Sequence, residues 1–531
     1  MAGIFKAYDV RGVVPEELDE PRAHRLGRAF VRFLIHPDES QIHPNESHIH
    51  PNESQDRRFT GDPTDQRFTG DPTIHPAQAL SVVVGHDARL SSPSLAEAFI
   101  AGATDEGAEV TTIGLVGTCL TYFALGAHRF GAGAMITASH NPKQYNGFKL
   151  LRAGVVPLSG ESGLPEVAAL YQGISAEPFT ALEGRRSRAG SSTPVRFLDV
   201  YADYSRHVLG FIQADRILPL KVVLDAGNGA AGLAAQRVFE ALPQVRTIPL
   251  NFQPDGNFPA HEPNPQLAEN RREIEERIRA ERADLGIAWD GDGDRCYFLD
   301  EEGRFIDGYY ITALLIEAIL RRYPGEKVIF DTRLTWANLD AARAFSGVPL
   351  INRAGHSFIK ARMRAEGAIF GGEVSGHFYF RRNFFADDGM IPALLILELL
   401  STRREKLSQL VRPLEEKYPI SGEINVQVAD VDALLAEMEG RYADGAIDHL
   451  DGLSVEYPQW RFNLRPSQTE PLVRLNVEAR QRELVEEKTA ELLALLRRDF
   501  PSPQSGEQAA IGTDFKSVPI ALKSVPIAWK S

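Results

Sequence analysis

Through most of the chain, short apolar runs alternate with longer amphipathic stretches. SVVVGHD (81–87) reads as a buried strand and SPSLAEAFIAGATDEG (92–107) as a helix. AEVTTIGL (108–115) is a strand again, TCLTYFALGAHR (118–129) a helix, and GAGAMIT (131–137) a further strand. KVVLDAG (221–227), DLGIAWD (284–290) and KVIFDT (327–332) repeat the theme: each is a short apolar strand ending in a polar or glycine-containing turn. This rhythm predicts layered α/β domains with parallel or mixed sheets, whose ligands bind beyond the carboxyl ends of the strands. Past Tyr418-Pro419 the pattern changes to INVQVAD, LSVEYP, RFNLRPS and LVRLNVEA, followed by a long helix from about Glu483. That predicts a separate α+β domain.

Two segments break the rhythm. Residues 35–76 are tandem polar repeats, IHPDESQ, IHPNESH and IHPNESQ, then DRRFTGDPT and DQRFTGDPT, then IHP. Such a segment cannot bury enough apolar surface to offset its ordering entropy, so it is expected to be a disordered insertion. Five of the fourteen histidines lie there, but repetition explains them without any metal-ligand geometry. The tail 501–531, with FKSVPIA and LKSVPIA in tandem, is expected to behave likewise.

Composition narrows the class. A chain of 531 residues exceeds one compact core and implies several domains. The formal net charge of −14 disfavours general nucleic-acid or anionic-membrane binding, though it leaves room for a local basic pocket. Two isolated cysteines, Cys119 and Cys296, make no disulfide framework, which fits a reducing cytoplasm. The stretch MAGIFKAYDVRG lacks the apolar core of a signal peptide. No apolar run reaches the ~20 residues of a bilayer span. A cytoplasmic protein without membrane or nucleic-acid partners is expected.

Four motifs carry chemistry. TASHNP (137–142) follows the strand GAGAMIT and can present Ser139 to a cleft; its spacing alone equally fits a polar turn capped by Ser139 and Asn141. Lys149, in NGFKLL, and Arg11, in YDVRG, could bring cations to it. DGDGDR (290–295) alternates three aspartates with glycines, which allows Asp290, Asp292 and Asp294 to converge on one hard cation. A calcium loop is a poorer match, because Arg295 occupies the place where that loop needs glycine and the entering segment is strand-like. GGEVSGH (371–377) flanks a carboxylate, a hydroxyl and an imidazole with glycines, suited to sugar hydroxyls or simply to a surface turn. RPSQTEP (465–471) offers Arg465, Ser467 and Thr469 as a phosphate cradle, or an ordinary loop. Gly227, Gly229 and Gly232 match G-x-G-x-x-G, but a close-packed strand–helix turn explains them better than a dinucleotide site. A G-x-x-x-x-G-K-[ST] loop is absent.

In this order, with YDVRG, GHDARLSSP, PDGNFPAHEPNP and GHSFIKARM, the motifs resemble the α-D-phosphohexomutase family, in its phosphomannomutase/phosphoglucomutase branch. The resemblance spans nearly all of the chain outside the two repetitive segments. It implies a four-domain, heart-shaped α/β enzyme: three similar α/β domains (1–190 with the serine loop, 191–303 with the metal loop, 304–416 with the sugar loop) and a smaller α+β domain (417–500). It implies that phospho-Ser139 carries the phosphoryl group between positions of a mannose or glucose phosphate. Hexose 1,6-bisphosphate would be intermediate and activator. Mg2+ would be held by Asp290, Asp292, Asp294 and the phosphate on Ser139. Glu373 and Ser375 would hold sugar hydroxyls, and Arg465, Ser467, Gln468 and Thr469 the phosphate not in transfer. Arg11, His140, Lys149, Arg295, His356 and His377 would line the cleft, with Lys149 the proton-transfer partner. A monomer or weak dimer is expected. Gln468 and Arg333 depart from the commoner Asn and Lys. Phosphoglucosamine mutase is the alternative within the class, but its metal loop usually reads DGDAD, where this chain has Gly293. A catalytically silent sugar-phosphate binder is the alternative outside it, and the intact Ser139 and aspartate triad count against that.

Overall fold

The computed structural model describes residues 3–35, 80–175, 194–467 and 472–499. The repeats from 36 to 76, the tail from 501, and Gln468 and Thr469 lie outside the described residues. Three of the four sheets share one plan. In the first, Ser81–His86 runs parallel to Glu109–Leu115 on one side and to Ala132–Ile136 on the other. Tyr145–Arg152 then adds antiparallel, with Val10–Val13 beyond it. In the second, Leu220–Asp225 lies between Val245–Leu250 and Leu285–Trp289, and Cys296–Leu299 and Phe305–Ile306 extend it antiparallel. In the third, Lys327–Asp331 lies between Val348–Asn352 and Phe370–Gly372, followed by Phe378–Phe380 and Ala386–Asp387. Helices Ser92–Asp105, Ala231–Glu240 and Trp336–Ala344 each follow the first parallel strand of their sheet. TASHNP, DGDGDR and GGEVSGH therefore occupy one topological position, at the turn from the third parallel strand into the antiparallel one.

Strand alternation decides the packing. Val82 and Val84 face Leu26, Phe30 and Phe99, while Val83 points the other way, towards Leu120 and Met135. That second core continues without a break through Leu224, Ile287, Val328 and Phe370, so the three α/β units share one apolar interior. Arg196–Phe197 pairs parallel with Glu109–Leu115 and extends the first sheet.

The fourth sheet is wholly antiparallel, in the order Ile424–Gln427, Leu472–Ala479, Trp460–Pro466, Leu453–Glu456, Ala446–Asp448. Its apolar face (Phe462, Leu464, Val473, Leu475, Val477) packs in a core of its own with Leu492 and Leu496 of the helix Arg482–Asp499. Its other face is polar and is turned to the third domain. Both cysteines are free and buried. Among the described residues no helix is long and apolar enough to cross a membrane.

Candidate active site

Ser139 sits one turn past the strand Ala132–Ile136, buried, with φ +52. Left-handed backbone is unusual for serine and has to be held by its surroundings. Its amide donates to Thr137 Oγ1 at 2.8 Å. Its hydroxyl donates to Asp290 Oδ2 at 3.0 Å and lies 3.3 Å from His140 Nδ1. Arg11 reaches the same loop by donating to Asn141 Oδ1 at 2.6 Å, and pairs with Asp9.

The three aspartates of DGDGDR are fully buried, and oxygens of all three lie within 4.8 Å of one another. Burial and the charges of Asp294 and Asp292 push the Asp290 carboxyl well above its usual range. Burial works the same way on both Asp292 and Asp294, joined for Asp292 by the charge of Asp294, but Lys149 together with the Thr118 hydrogen bond to Asp292 and the Arg295 and Lys360 charges near Asp294 holds both below the usual range. Lys149 Nζ donates to Asp292 at 2.7 Å and Asp294 at 2.5 Å. Burial alone would weaken that ammonium, yet the two carboxylates raise its pKa well above the ordinary value. Asp292 Oδ1 and Asp294 Oδ1 are buried without a hydrogen-bond partner. Two such oxygens beside Asp290 form an oxygen donor set of the kind Mg2+ takes, so the residues present fit the cation. Asp294, His377 and Asp387 also lie close together, but the buried Lys360 ammonium is 2.7 Å from Asp387, which makes that set a charge-compensated network.

The third loop meets this centre through Arg295, whose Nε donates to His377 Nε2 at 3.1 Å. Ser375 Oγ lies 3.1 Å from His377 Nδ1. Glu373 accepts from the Gly355 amide at 2.7 Å and from the Tyr379 hydroxyl, and burial raises its pKa. His140, His356 and His377 are all pushed well below the ordinary histidine value, first by burial and then by neighbouring cations. In its neutral form each offers one donor and one acceptor nitrogen, and His377 uses Nε2 to accept from Arg295. Arg465 of the fourth domain lies 3.7 Å from Asp451 and 4.0 Å from Glu423, and Asp451 takes the Ala354 amide next to the Gly355 amide that binds Glu373. The Ser467 amide donates to the Leu472 carbonyl. The structure thus brings residues of three loops together and links Arg465 through Asp451 to the segment beside Glu373; Gln468 and Thr469 fall outside the described residues. Arg333 is buried on Asp331 with Glu423 3.3 Å away, so its guanidinium is engaged by carboxylates.

Four family models match in chain order, those of the phosphoglucomutase/phosphomannomutase α/β/α domains I (72–176), II (199–303) and III (307–418) and of the C-terminal domain (423–495). The chain belongs to this family. It is 41% identical over 499 residues to "Phosphohexose mutases" of Xanthomonas campestris pv. campestris, covering 93% of this chain and 99% of that one. It is 41% identical over 501 residues to a phosphomannomutase of Salmonella typhimurium, with the same coverage. A phosphoglucomutase/phosphomannomutase family protein of Burkholderia thailandensis superposes with a TM-score of 0.75 at 30% identity, over 93% of this chain and 97% of that one.

Sequence reasoning missed several residues of this phosphoglucomutase/phosphomannomutase site. Thr118 opens the helix Thr118–Ala127; its hydroxyl donates to Asp292 Oδ2 at 2.5 Å and its amide to the Asp292 carbonyl at 2.8 Å. Tyr8, just ahead of the strand Val10–Val13, meets the His356 ring at a tilt, with 5.6 Å between centroids, and so joins the N-terminal segment to the third domain. Arg474 stands directly opposite Arg465 in the register of the last sheet. Glycines from three domains close on the metal loop. A Cβ at Gly117 would come within 2.7 Å of the Asp292 carbonyl, at Gly229 within 2.5 Å of the Gly291 carbonyl, and at Gly389 within 2.5 Å of the Gly293 carbonyl. Gly229 is already legible in the sequence as part of a close-packed strand–helix turn; the others are revealed only by the three-dimensional meeting of distant segments.

Proposed function

We infer that this chain is a phosphohexomutase, an isomerase that interconverts hexose 6-phosphates and hexose 1-phosphates, with mannose and glucose phosphates as substrates. The observation that carries the reading is a serine in left-handed backbone whose hydroxyl lies 3.0 Å from one of three converging buried aspartates. Phospho-Ser139 gives its phosphoryl group to a sugar hydroxyl: the bond from Oγ to phosphorus breaks as the bond from the sugar oxygen forms. The product is a hexose 1,6-bisphosphate, which turns over in the cleft and returns its other phosphate to Ser139. Mg2+ at Asp290, Asp292 and Asp294 would supply Lewis-acid stabilisation of the transferring oxygens. Lys149, a cation here, stabilises the same charge; the sugar hydroxyl gives up one proton as Oγ takes one, and Lys149 can carry that exchange by donating to the leaving oxygen and recovering the hydroxyl's proton. Arg11, His140 and Arg295 border the reacting oxygens, and His356 and His377 the sugar. Glu373 and Ser375 accept sugar hydroxyls, and Arg465 with Ser467, Gln468 and Thr469 grips the second phosphate.

The test is a coupled assay of mannose 1-phosphate, glucose 1-phosphate and glucosamine 1-phosphate with Mg2+ and a trace of hexose 1,6-bisphosphate. Turnover of the first two, with one phosphate on the Ser139 peptide by mass spectrometry, is the expected result. Preference for glucosamine 1-phosphate would move the substrate assignment, and no turnover of any of the three would overturn the reading.

A further inference from the structure

Arg89 lies outside the four motifs, yet it is one of the largest fully buried side chains of the chain. A guanidinium carries five N–H donors in a fixed plane. All five are used here. Nε donates to Asp87 Oδ2 at 3.2 Å; one terminal nitrogen donates to the carbonyls of Pro142 (2.9 Å) and Tyr145 (3.0 Å); the other donates to those of Ser139 (2.8 Å) and Asn141 (2.7 Å). The four carbonyls belong to the single turn that carries Ser139 from one strand to the next. Their dipoles point at one spot and repel unless a cation sits among them.

Asp87 is in turn fixed by the Arg89 amide at 3.0 Å and the Ser92 hydroxyl at 2.5 Å. A loop of the second domain seals the group: the Phe258 ring covers the guanidinium at 5.3 Å, and a Cβ on Gly256 would lie 2.4 Å from the Leu90 nitrogen. The same turn recurs in the other two α/β domains, where Asp225 and Asp331 also end the first parallel strand and accept the amide two residues on. In the third domain Asp331 itself takes an amide of its motif loop, from Val374 at 3.0 Å. There the equivalent Arg333 comes within 3.9 Å of the Glu373 carboxylate of the motif loop, whereas in the first domain Arg89 donates to the backbone carbonyls of the loop itself.

We propose that Arg89 is the positioning residue of the serine loop: its planar hub of carbonyl contacts holds Ser139 in left-handed backbone and so aims Oγ at Asp290 and the incoming phosphoryl group. The proposal rests on Ser139 being the phosphate carrier. Arg89 touches neither substrate nor reacting atom, and it acts only through the loop. A lysine keeps the charge but presents its donors from one point, so it cannot satisfy four carbonyls and Asp87 together.

The experiment uses the full chain and begins by measuring phosphate on Ser139 in the wild type. Arg89→Lys and Asp87→Asn are then compared with it in steady-state kcat and KM for glucose 1-phosphate. The rate at which glucose 1,6-bisphosphate phosphorylates the dephosphorylated enzyme is measured alongside, all per folded molecule. Displacement of a reacting group by about an ångström costs about 100-fold in rate. Arg89→Lys is expected to lose about 100-fold in kcat and in the phosphorylation rate with KM within about threefold, and Asp87→Asn to show the same split more weakly. The positioning role is overturned if either variant folds and keeps kcat within threefold of wild type, if KM rises while kcat holds, or if lost activity only tracks lost folded protein. An unphosphorylated wild-type Ser139 would overturn the carrier reading and this inference with it; a phosphorylated wild type beside fully active variants would overturn the inference alone.

Discussion

At residues 290–295 three domains close on one stretch of backbone, while at 461–478 a fourth domain meets its neighbour through side chains. The metal loop is met at carbonyl after carbonyl by Gly117, Gly229 and Gly389, and the apolar core beneath it is shared by all three α/β units. The last domain has its own core, and what crosses its joint is polar. Arg461 donates to the carbonyls of Thr332 and Arg333 at 2.8 and 2.9 Å. Glu478 accepts the amides of Thr335 and Trp336, capping the helix Trp336–Ala344 from outside its own domain, and also the Tyr309 hydroxyl. The difference is between parts that cannot shift without steric clash and parts held by a few directional bonds. The first suits the group transfer, where geometry sets the rate; the second suits a grip on the phosphate that is not transferred.

The sharpest way to break this comparison is at its rigid pole. Asp292→Asn removes one of the converging charges, and kcat should fall on the order of 10^3-fold with a raised Mg2+ requirement. Titrating Mg2+ against turnover checks both. If the variant keeps its turnover and its Mg2+ curve, the triad is not the metal site.

Gly389→Ala tests whether backbone contact, rather than ligand chemistry, keeps that pole rigid. The new methyl would press on the Gly293 carbonyl and, at 2.8 Å, on the Trp289 ring. Such overpacking costs about 1–3 kcal/mol. If the cost appears as displacement of the loop, kcat should drop about 10- to 100-fold with little change in KM. A variant that loses melting temperature but keeps kcat would show that the loop tolerates the shift.

At the other pole the signature should reverse. Arg465→Ala should raise KM about 10- to 100-fold and leave kcat within a few-fold, because a charge-assisted grip on phosphate is lost while the transfer centre stands. Arg474 lies across the strand from it, and like charges so placed repel unless an anion sits between them. Glu423 does so in part, 4.0 Å from one and 3.6 Å from the other. An Arg465→Ala variant with unchanged KM and depressed kcat would place this loop in the transfer step instead.

How much of this was legible in the chain follows the same division. The strands before TASHNP and DGDGDR stood out, because each is a compact apolar run ending in glycine or polar residues; Phe370–Gly372 before GGEVSGH, three residues long and two of them glycine, did not. Nor did the antiparallel strands after the motifs. Cys296–Leu299 and Phe378–Phe380 are too short for alternation to register, and NGFKLL drew notice for Lys149 alone, not as part of the strand Tyr145–Arg152. Hence the equivalence of the three motif turns appears only in the sheet order. Thr118 and Gly389 act across domains and Arg89 across a long stretch of its own, and a single residue without a periodic context gives no signal. The alternation in RFNLR and RLNVE did predict strands. That its polar face would be buried, with Asn463, Asn476 and Glu478 fully enclosed, depends on the third domain lying against it.

The smallest effect expected concerns a buried carboxyl in the rigid region. Asp388 caps its own helix, Met390–Arg403, by accepting the amides of Met390 at 2.7 Å and Ile391 at 3.0 Å, and it takes the Tyr204 hydroxyl from the second domain. Burial pushes its pKa up to about 7, against the pull of those donors. Unfolded, the same carboxyl ionises near pH 4. Between these values the folded chain keeps a proton that the unfolded chain has released, so stability falls as pH rises from about 4 to about 7 and is level beyond. Below the window the protonated group caps the helix at no ionic cost; above it a charge is held in the interior. Asp388→Asn keeps an oxygen for the two amides and can never ionise. Its melting temperature relative to wild type should therefore be higher at pH 8 than at pH 5, by about 2–4 °C for each kcal/mol released. Thermal melts of both proteins at the two pH values measure this directly. An offset that is the same at pH 5 and pH 8 would mean that Asp388 does not change its protonation on folding, and that the rigid region holds its charge without penalty.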